Sequence, residues 1–265
     1  LSLTFLLAAC GGNEPSAGTS SSNATAQTMA INAEIAKQLP LDDQQDFADA
    51  TRGLIASQKP LQVKNADGKV LWDMEKYAFI DGAAPDSVNP SLWRQAKLNN
   101  IHGLFEVTPG IYQLRGFDLA NITLIQGKTG WILVDPLTTA PPARNALAFA
   151  REQLGEQKIS AIIFTHSHID HFGGIDGVLT DNEREQLQVI APEGFMEEAS
   201  SENILAGPTM QRRAQYMYGS RLERSATGHV DTGLGKQPPF GGDIGILAPT
   251  HIVSQTGQTL TVDGV

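Results

Sequence analysis

The hexapeptide His166-Ser167-His168-Ile169-Asp170-His171 constrains this chain more than any other stretch, because it sets three imidazoles and one carboxylate in six positions. It follows the apolar run 159–164 and precedes Gly173-Gly174. A strand that ends in such a cluster delivers its donors to one point at its carboxyl end. Neutral imidazole and carboxylate are good donors for Zn²⁺, and crowding them without a partner gains no stability. In extended chain His166 and His168 face the same way, so they can grip one ion. The chain must then turn, and Asp170 with His171 can serve a second ion. Two such ions roughly 3.5–4 Å apart make a nucleophile available at neutral pH. A polar loop that gathered histidines by chance would not combine this spacing with a preceding strand and following glycines.

The rest of the composition narrows the reading. The chain has 265 residues, 41% hydrophobic and 18% charged, an ordinary balance for one large core or a core with an appendage. A net charge of -10 argues against binding nucleic-acid phosphates. It does not exclude an anionic substrate, since a metal creates its own positive field. The single cysteine excludes internal disulfides and a cysteine-based zinc site.

That cysteine lies in Leu7-Ala8-Ala9-Cys10-Gly11, behind a short apolar lead. The segment resembles the end of a bacterial lipoprotein signal, where cleavage exposes a thiol for lipid attachment. Residues 1–9 are therefore expected to be a signal remnant, Cys10 a lipidation site, and residues 10–31 a flexible tether rich in Gly, Ser, Asn and Thr. A lipid on Cys10 would be the only membrane contact, on a periplasmic or outer-membrane lipoprotein or a secreted protein. Leu1 in place of Met and the alternating ending 259–265 are expected to be cut edges of a longer chain.

Along the body, the pattern predicts helix over 32–57 with a break at Pro40. A hairpin is expected from 61–63 and 70–72 around Asn65-Ala66-Asp67-Gly68, and a short helix after Pro90. Short strands are predicted at 104–107, 111–115, 122–126 and 131–135. A helix over 141–154 follows, with Pro142 near its start and Gly155 at its end. Residues 159–164 form the strand that feeds the cluster, 193–222 read as mostly helical, and 244–247 and 260–262 read as strands. Sheet layers flanked by helices follow from this order, with the site at strand ends.

The segment 165–174, Thr165-His166-Ser167-His168-Ile169-Asp170-His171-Phe172-Gly173-Gly174, resembles the H-x-H-x-D-H signature of the metallo-β-lactamase superfamily. Ile132-Leu133-Val134-Asp135-Pro136 resembles that superfamily's earlier strand-end aspartate. Downstream, Ala191-Pro192-Glu193-Gly194-Phe195, Ser201-Glu202-Asn203, Arg212-Arg213-Ala214-Gln215-Tyr216-Met217-Tyr218-Gly219 and Gly233-Leu234-Gly235-Lys236 are similar to the alkyl sulfatase branch, the linear alkylsulfatases. This similarity runs from about residue 47 to Val265.

The resemblance implies an α/β (α+β) fold, the metallo-β-lactamase αββα sandwich, incomplete at the C-terminus. Residues 32–265 would be the N-terminal part of its catalytic domain, without the dimerisation and lipid-carrier-like domains. It implies two Zn²⁺ per complete site: His166 and His168 on one, Asp170 and His171 on the other, with Asp170 in the catalytic centre. Asp135 would orient the ligands from behind, and further ligands would lie later in the chain. Tyr218 and Gly235 would belong to the sulfate pocket. The activity implied is hydrolysis of alkyl sulfate esters such as dodecyl sulfate to alcohol and sulfate, by a homodimer when full length. Two other readings share the sequence: a lactonase, thioesterase or β-lactamase on the same scaffold, and an inactive truncated lipoprotein that only binds. His229 is expected at a loop or pocket edge and His251 at a strand edge, and neither His251 nor His102, beside Gly103, is expected to be a ligand.

Overall fold

The computed structural model describes residues 24–185, 187–239 and 241–265. In chain order its elements are α1 (Ala26–Gln38), α2 (Gln45–Thr51), β1 (Leu54–Ala56), β2 (Gln62–Lys64), β3 (Val70–Asp73), α3 (Pro90–Leu98), β4 (Gly103–Thr108), β5 (Ile111–Arg115), β6 (Ile122–Gln126), β7 (Trp131–Val134), α4 (Ala140–Leu154), β8 (Ile159–Ile163), α5 (Ile175–Val178), α6 (Asp181–Arg184), β9 (Gln188–Pro192), α7 (Phe195–Ser200), α8 (Gly207–Tyr218) and β10 (His251–Val253). Eight strands form one mixed sheet in the order β1-β4-β5-β6-β7-β8-β9-β10, and β2-β3 form a separate hairpin. The arrangement is a mixed α/β fold, with one large sheet among the described residues.

The sheet changes character at β7. Strands β4 to β7 meander antiparallel, joined by short turns. From β7 through β8 and β9 to β10 the pairing is parallel. Parallel strands need crossovers, which here carry α4, then α5 and α6, then α7 and α8. The parallel strands are apolar on both faces, as strands covered on both sides must be. Leu133, Ile162 and Val189 face α4 and the main core, which also holds Val63 and Trp72 of the hairpin. Ile132, Ala161 and Ile190 face the other way, against Leu260 and Val262.

Helix α4 follows its sequence signals: proline sits in its first turn and Gly155 ends it at φ 94°, while Thr139 takes the N-cap position without a side-chain bond. It lays Ala143, Ala146, Leu147 and Ala150 on the sheet. Carboxyl ends of parallel strands open toward one edge, the usual location of sites in such sheets. Asp135 and His166 emerge there, just past β7 and β8.

Three expectations need correction. The tether over 10–31 ends early, because Ala26–Gln38 is helical; Thr25 Oγ1 accepts from Thr28 N at 3.2 Å to cap it, and Asn32 Nδ2 donates to Asp86 O at 2.9 Å. The signal remnant 1–9, Cys10 and the tether up to residue 23 lie outside the described residues. The break expected near Pro40 is present, but the helix predicted on to residue 57 stops at Thr51 and gives way to strand β1, where Gly53 takes φ 75° and its added Cβ would collide with Glu106 O. The runs 244–247 and 260–262 are not strands; His251–Val253 pairs with β9 instead. Apolar alternation over 260–262 serves to cover the sheet face rather than to pair in it. Asp263 then closes the 127–130 turn, accepting from Thr129 N at 3.0 Å and Gly130 N at 3.1 Å.

Candidate metal centre

The site is assembled on two strand ends. Asp135 leaves β7 in the left-handed region at φ 57°, followed by Leu137 at φ 67°. Non-glycine residues there are strained and persist only where their surroundings hold them. Asp135 N donates to Ile163 O at 3.1 Å, and the buried Asp135 carboxylate turns to the end of β8. It accepts from Thr165 N at 2.9 Å, Thr165 Oγ1 at 2.6 Å and His171 Nδ1 at 2.8 Å. The loop behind it is tied down as well. Asp118, 3% exposed, accepts from Thr138 N at 2.9 Å, Thr138 Oγ1 at 3.1 Å and Leu119 N at 2.6 Å. Burial pushes the Asp118 carboxyl up to about 7, against the pull of those donors.

Gly173 and Gly174 explain why two glycines follow the cluster. An added Cβ on Gly173 would strike Thr138 O, and one on Gly174 would strike Pro136 O. Gly174 N donates to Leu137 O at 2.8 Å, so the Asp135 loop and the segment after His171 are in backbone contact. Between them the chain makes a 3₁₀ turn over Ile169–His171, with His171 N bonded to His168 O at 3.0 Å. The turn folds His171 back over His166, with ring centroids 4.1 Å apart.

The structure thus brings His166, His168, Asp170, His171 and Asp135 together. His166 Nε2 faces His168 Nδ1 at 3.0 Å, and His171 Nε2 faces Asp170 Oδ2 at 3.3 Å. Burial and the two neighbouring imidazoles lower the His166 pKa, which favours its neutral, ligating form. Burial also works against the charge on His171, but the Asp135 and Asp170 carboxylates outweigh it and hold that pKa at about 9. Burial opposes ionisation of Asp170 too, yet its bond to His171 lowers the pKa below the usual value.

The donor set fits zinc. Tetrahedral coordination at about 2.0–2.1 Å places neighbouring donors roughly 3.3 Å apart. The facing nitrogens at 3.0 Å and the Asp170–His171 pair at 3.3 Å each match one edge of such a shell. Among the described residues no group of three His, Cys, Asp or Glu is placed to hold a metal ion.

Other expected residues lie further out. Tyr218 ends α8 half-buried; burial and then the Asp170 carboxylate raise its pKa, which sets it within electrostatic range of the cluster. Gly235 packs on Leu119, where an added Cβ would approach Leu119 Cδ1 at 3.2 Å. His229 is buried away from the cluster, 3.1 Å from Tyr77 Oη, beneath Gly219. His251 opens β10 beside Gln258, and His102 bonds the carbonyls of Asn100 and Gln58. Arg212 and Arg213 are exposed. Sequence reasoning gave no role to Glu202, whose Oε2 lies 3.8 Å from His168 Nε2. Its one signal was membership of the Ser201-Glu202-Asn203 motif.

Comparison with known proteins agrees with this architecture. The family description "Metallo-beta-lactamase superfamily" matches residues 115–182. An (R)-specific secondary-alkylsulfatase of Pseudomonas sp. is 49% identical over 245 residues, covering 91% of this chain and 37% of that protein. An alkyl/aryl-sulfatase of Saccharomyces cerevisiae is 44% identical over 241 residues, covering 90% of this chain and 37% of the relative. The solved structure of a stereoselective inverting sec-alkylsulfatase from Pseudomonas sp. superposes with a TM-score of 0.88 at 48% identity, over 92% of this chain and 39% of that one. The chain therefore spans little more than a third of the length of these relatives. Residues 115–182 thus match the metallo-β-lactamase superfamily, and over about nine-tenths of its length the chain is similar to alkylsulfatases.

Proposed function

We propose that this chain carries the first half of the metal centre of a zinc-dependent alkylsulfatase, which hydrolyses detergent-like esters such as dodecyl sulfate to alcohol and sulfate. The observation that carries the reading is the pair of donor edges, His166–His168 and Asp170–His171, side by side in the turn that follows β8, with Asp135 from the end of β7 bonded to His171. His166 Nε2 and His168 Nδ1 would hold one zinc, and Asp170 with His171 Nε2 the second. When bound, zinc supplies Lewis acidity and brings the ionisation of water to roughly pH 7. Asp135 keeps the protein side of this arrangement in order: it fixes the His171 ring directly and reaches His166 through Thr165.

Tyr218 and Gly235 are proposed for the wall of the sulfate pocket. Ile204, Leu205 and Met217 are exposed on the segments that carry Glu202 and Tyr218, and would offer the alkyl tail an apolar surface. Burial contributes about 0.8 kcal/mol per CH₂, so kcat/KM should climb steeply with chain length. The protein is further proposed to be a homodimer. Its membrane contact would be a lipid on Cys10, at the periplasmic or outer-membrane surface; no described helix is long and apolar enough to cross a bilayer.

The test is sulfate release from dodecyl sulfate by the intact protein, with lactone, thioester and β-lactam substrates in parallel. Sulfate release that stops on chelation and returns with zinc is the expected result. Turnover that survives exhaustive chelation, or a preference for the acyl substrates, overturns the reading.

A further inference from the structure

Three imidazoles meet at this site, and each has one nitrogen turned inward and one outward. Asp135 serves two of the outer nitrogens. It bonds His171 Nδ1 directly at 2.8 Å, and it accepts at 2.6 Å from Thr165 Oγ1, which lies 2.9 Å from His166 Nδ1. His168 is left outside that scheme. Its Nδ1 faces His166 Nε2 at 3.0 Å, and the group facing its Nε2 is Glu202 Oε2 at 3.8 Å. The His168 side chain is 61% exposed, so packing does little to fix its ring. A neutral imidazole carries its proton on either nitrogen, and the partner of the outer one decides which.

Glu202 arrives through an unusual stretch of backbone. Helix α7 stops at Ser200, and Ser201–Leu205 forms a π-helical turn closed by Ala206 N donating to Ser201 O at 2.9 Å. Such widened turns are uncommon and often mark functional positions. This one leaves Ile204 and Leu205 at 73% and 82% exposure. The same turn keeps the Glu202 side chain at 30% exposure against His168. Hydrophobic burial gives no reason for this arrangement, since it puts the apolar pair outward and the acid inward.

We propose that Glu202 is a positioning residue for His168. Its carboxylate holds the imidazole proton on Nε2 and leaves the Nδ1 lone pair facing inward. The contact is Coulombic at 3.8 Å, and it completes a scheme in which every imidazole of the cluster has its outer nitrogen matched to an acceptor. The inference rests on the metal reading of the cluster, but its test does not need turnover.

The experiment uses the intact protein with Glu202→Met, which keeps the size and removes the acceptor, and Glu202→Gln, which keeps an accepting oxygen. Histidine-selective ¹⁵N spectra of the metal-free protein should show His168 protonated on Nε2 in the wild type. The Met variant should show a mixture of tautomers, and the Gln variant should restore most of the wild-type signal. Zinc affinity, read by chelator competition, should fall about 10- to 100-fold in the Met variant and recover in the Gln variant. A His168 tautomer unchanged in the Met variant, or a zinc affinity within about twofold of wild type, overturns the proposal. A wild-type protein that takes up no zinc would overturn the metal reading instead, and the tautomer comparison would still decide the role of Glu202.

Discussion

At the scale of single residues, the site is an arrangement of acceptors around imidazoles. Asp135 gathers three donors, the Thr165 amide and hydroxyl and the His171 ring. Asp118, behind the same loop, accepts three hydrogen bonds, none of them from a cation, and burial raises its pKa from 3.8 to about 7, with Asp170 adding a small push. The sign of the linkage is set by that rise. Between pH 3.8 and about 7 the folded chain holds a proton that the unfolded chain has released. Stability from this group is therefore full below the unfolded value and is lost as pH climbs toward the folded one. One such group sets a slope of up to about 1.4 kcal/mol per pH unit. Urea midpoints of metal-free protein across this range should fall with pH, and Asp118→Asn should flatten the fall relative to wild type. Parallel curves for the two proteins would show that Asp118 is ionised throughout.

At the scale of elements, the two glycines after the cluster lock a loop to a turn. A methyl on Gly174 would strike Pro136 O, with Ala143 Cβ at 2.8 Å and Thr139 O at 2.9 Å. These are backbone and helix atoms that do not swing aside, so Gly174→Ala should destabilise by about 1–3 kcal/mol. Gly207→Ala in the first turn of α8 meets nothing within 4 Å and should stay within about 0.5 kcal/mol of wild type. Equal urea midpoints for the two variants would contradict the clamp. The elements around this clamp were legible in the sequence for local reasons. Strands β4 to β8 announce themselves by β-branched runs between glycine turns, and α4 by its prolines and Gly155. The cluster itself was legible because spacing and strand end coincide. Glu202 was not, since a π-helical turn has no periodic signature and its approach to His168 is tertiary. The run 260–262 misled for a related reason, whereas in 244–247 the alternating Ile244 and Ile246 stay exposed. Apolar alternation reports a face that is covered, and does not say whether by pairing or by packing on top.

At the scale of the whole molecule, a buried ion pair joins the loop after α8 to a helix far back in the chain. Lys236 Nζ lies 2.9 Å from Asp231 Oδ2 and 2.9 Å from Ala96 O, and sits 4.8 Å from the Tyr77 ring centroid. Asp231 Oδ1 accepts from Asn99 Nδ2 at 2.9 Å and Gly233 N at 2.7 Å. The side chains of the pair are 1% and 0% exposed. Through it, residues 229–237, which carry Gly235, are anchored on α3. Taking both charges out of water costs nearly as much as their attraction returns, so the pair as a whole adds little net stability. Removing one partner is different, because it strands the other charge in the interior. Lys236→Met should therefore cost about 3–5 kcal/mol. Adding Asp231→Asn should return part of that loss, since no buried charge remains and the asparagine oxygen still accepts from Asn99 or Gly233. Urea midpoints of the single and double variants measure the difference. A double variant less stable than Lys236→Met would mean that the neutralised Asp231 was supporting the loop by itself. In that case the lysine would be held by Ala96 O and the Tyr77 face rather than by its carboxylate partner.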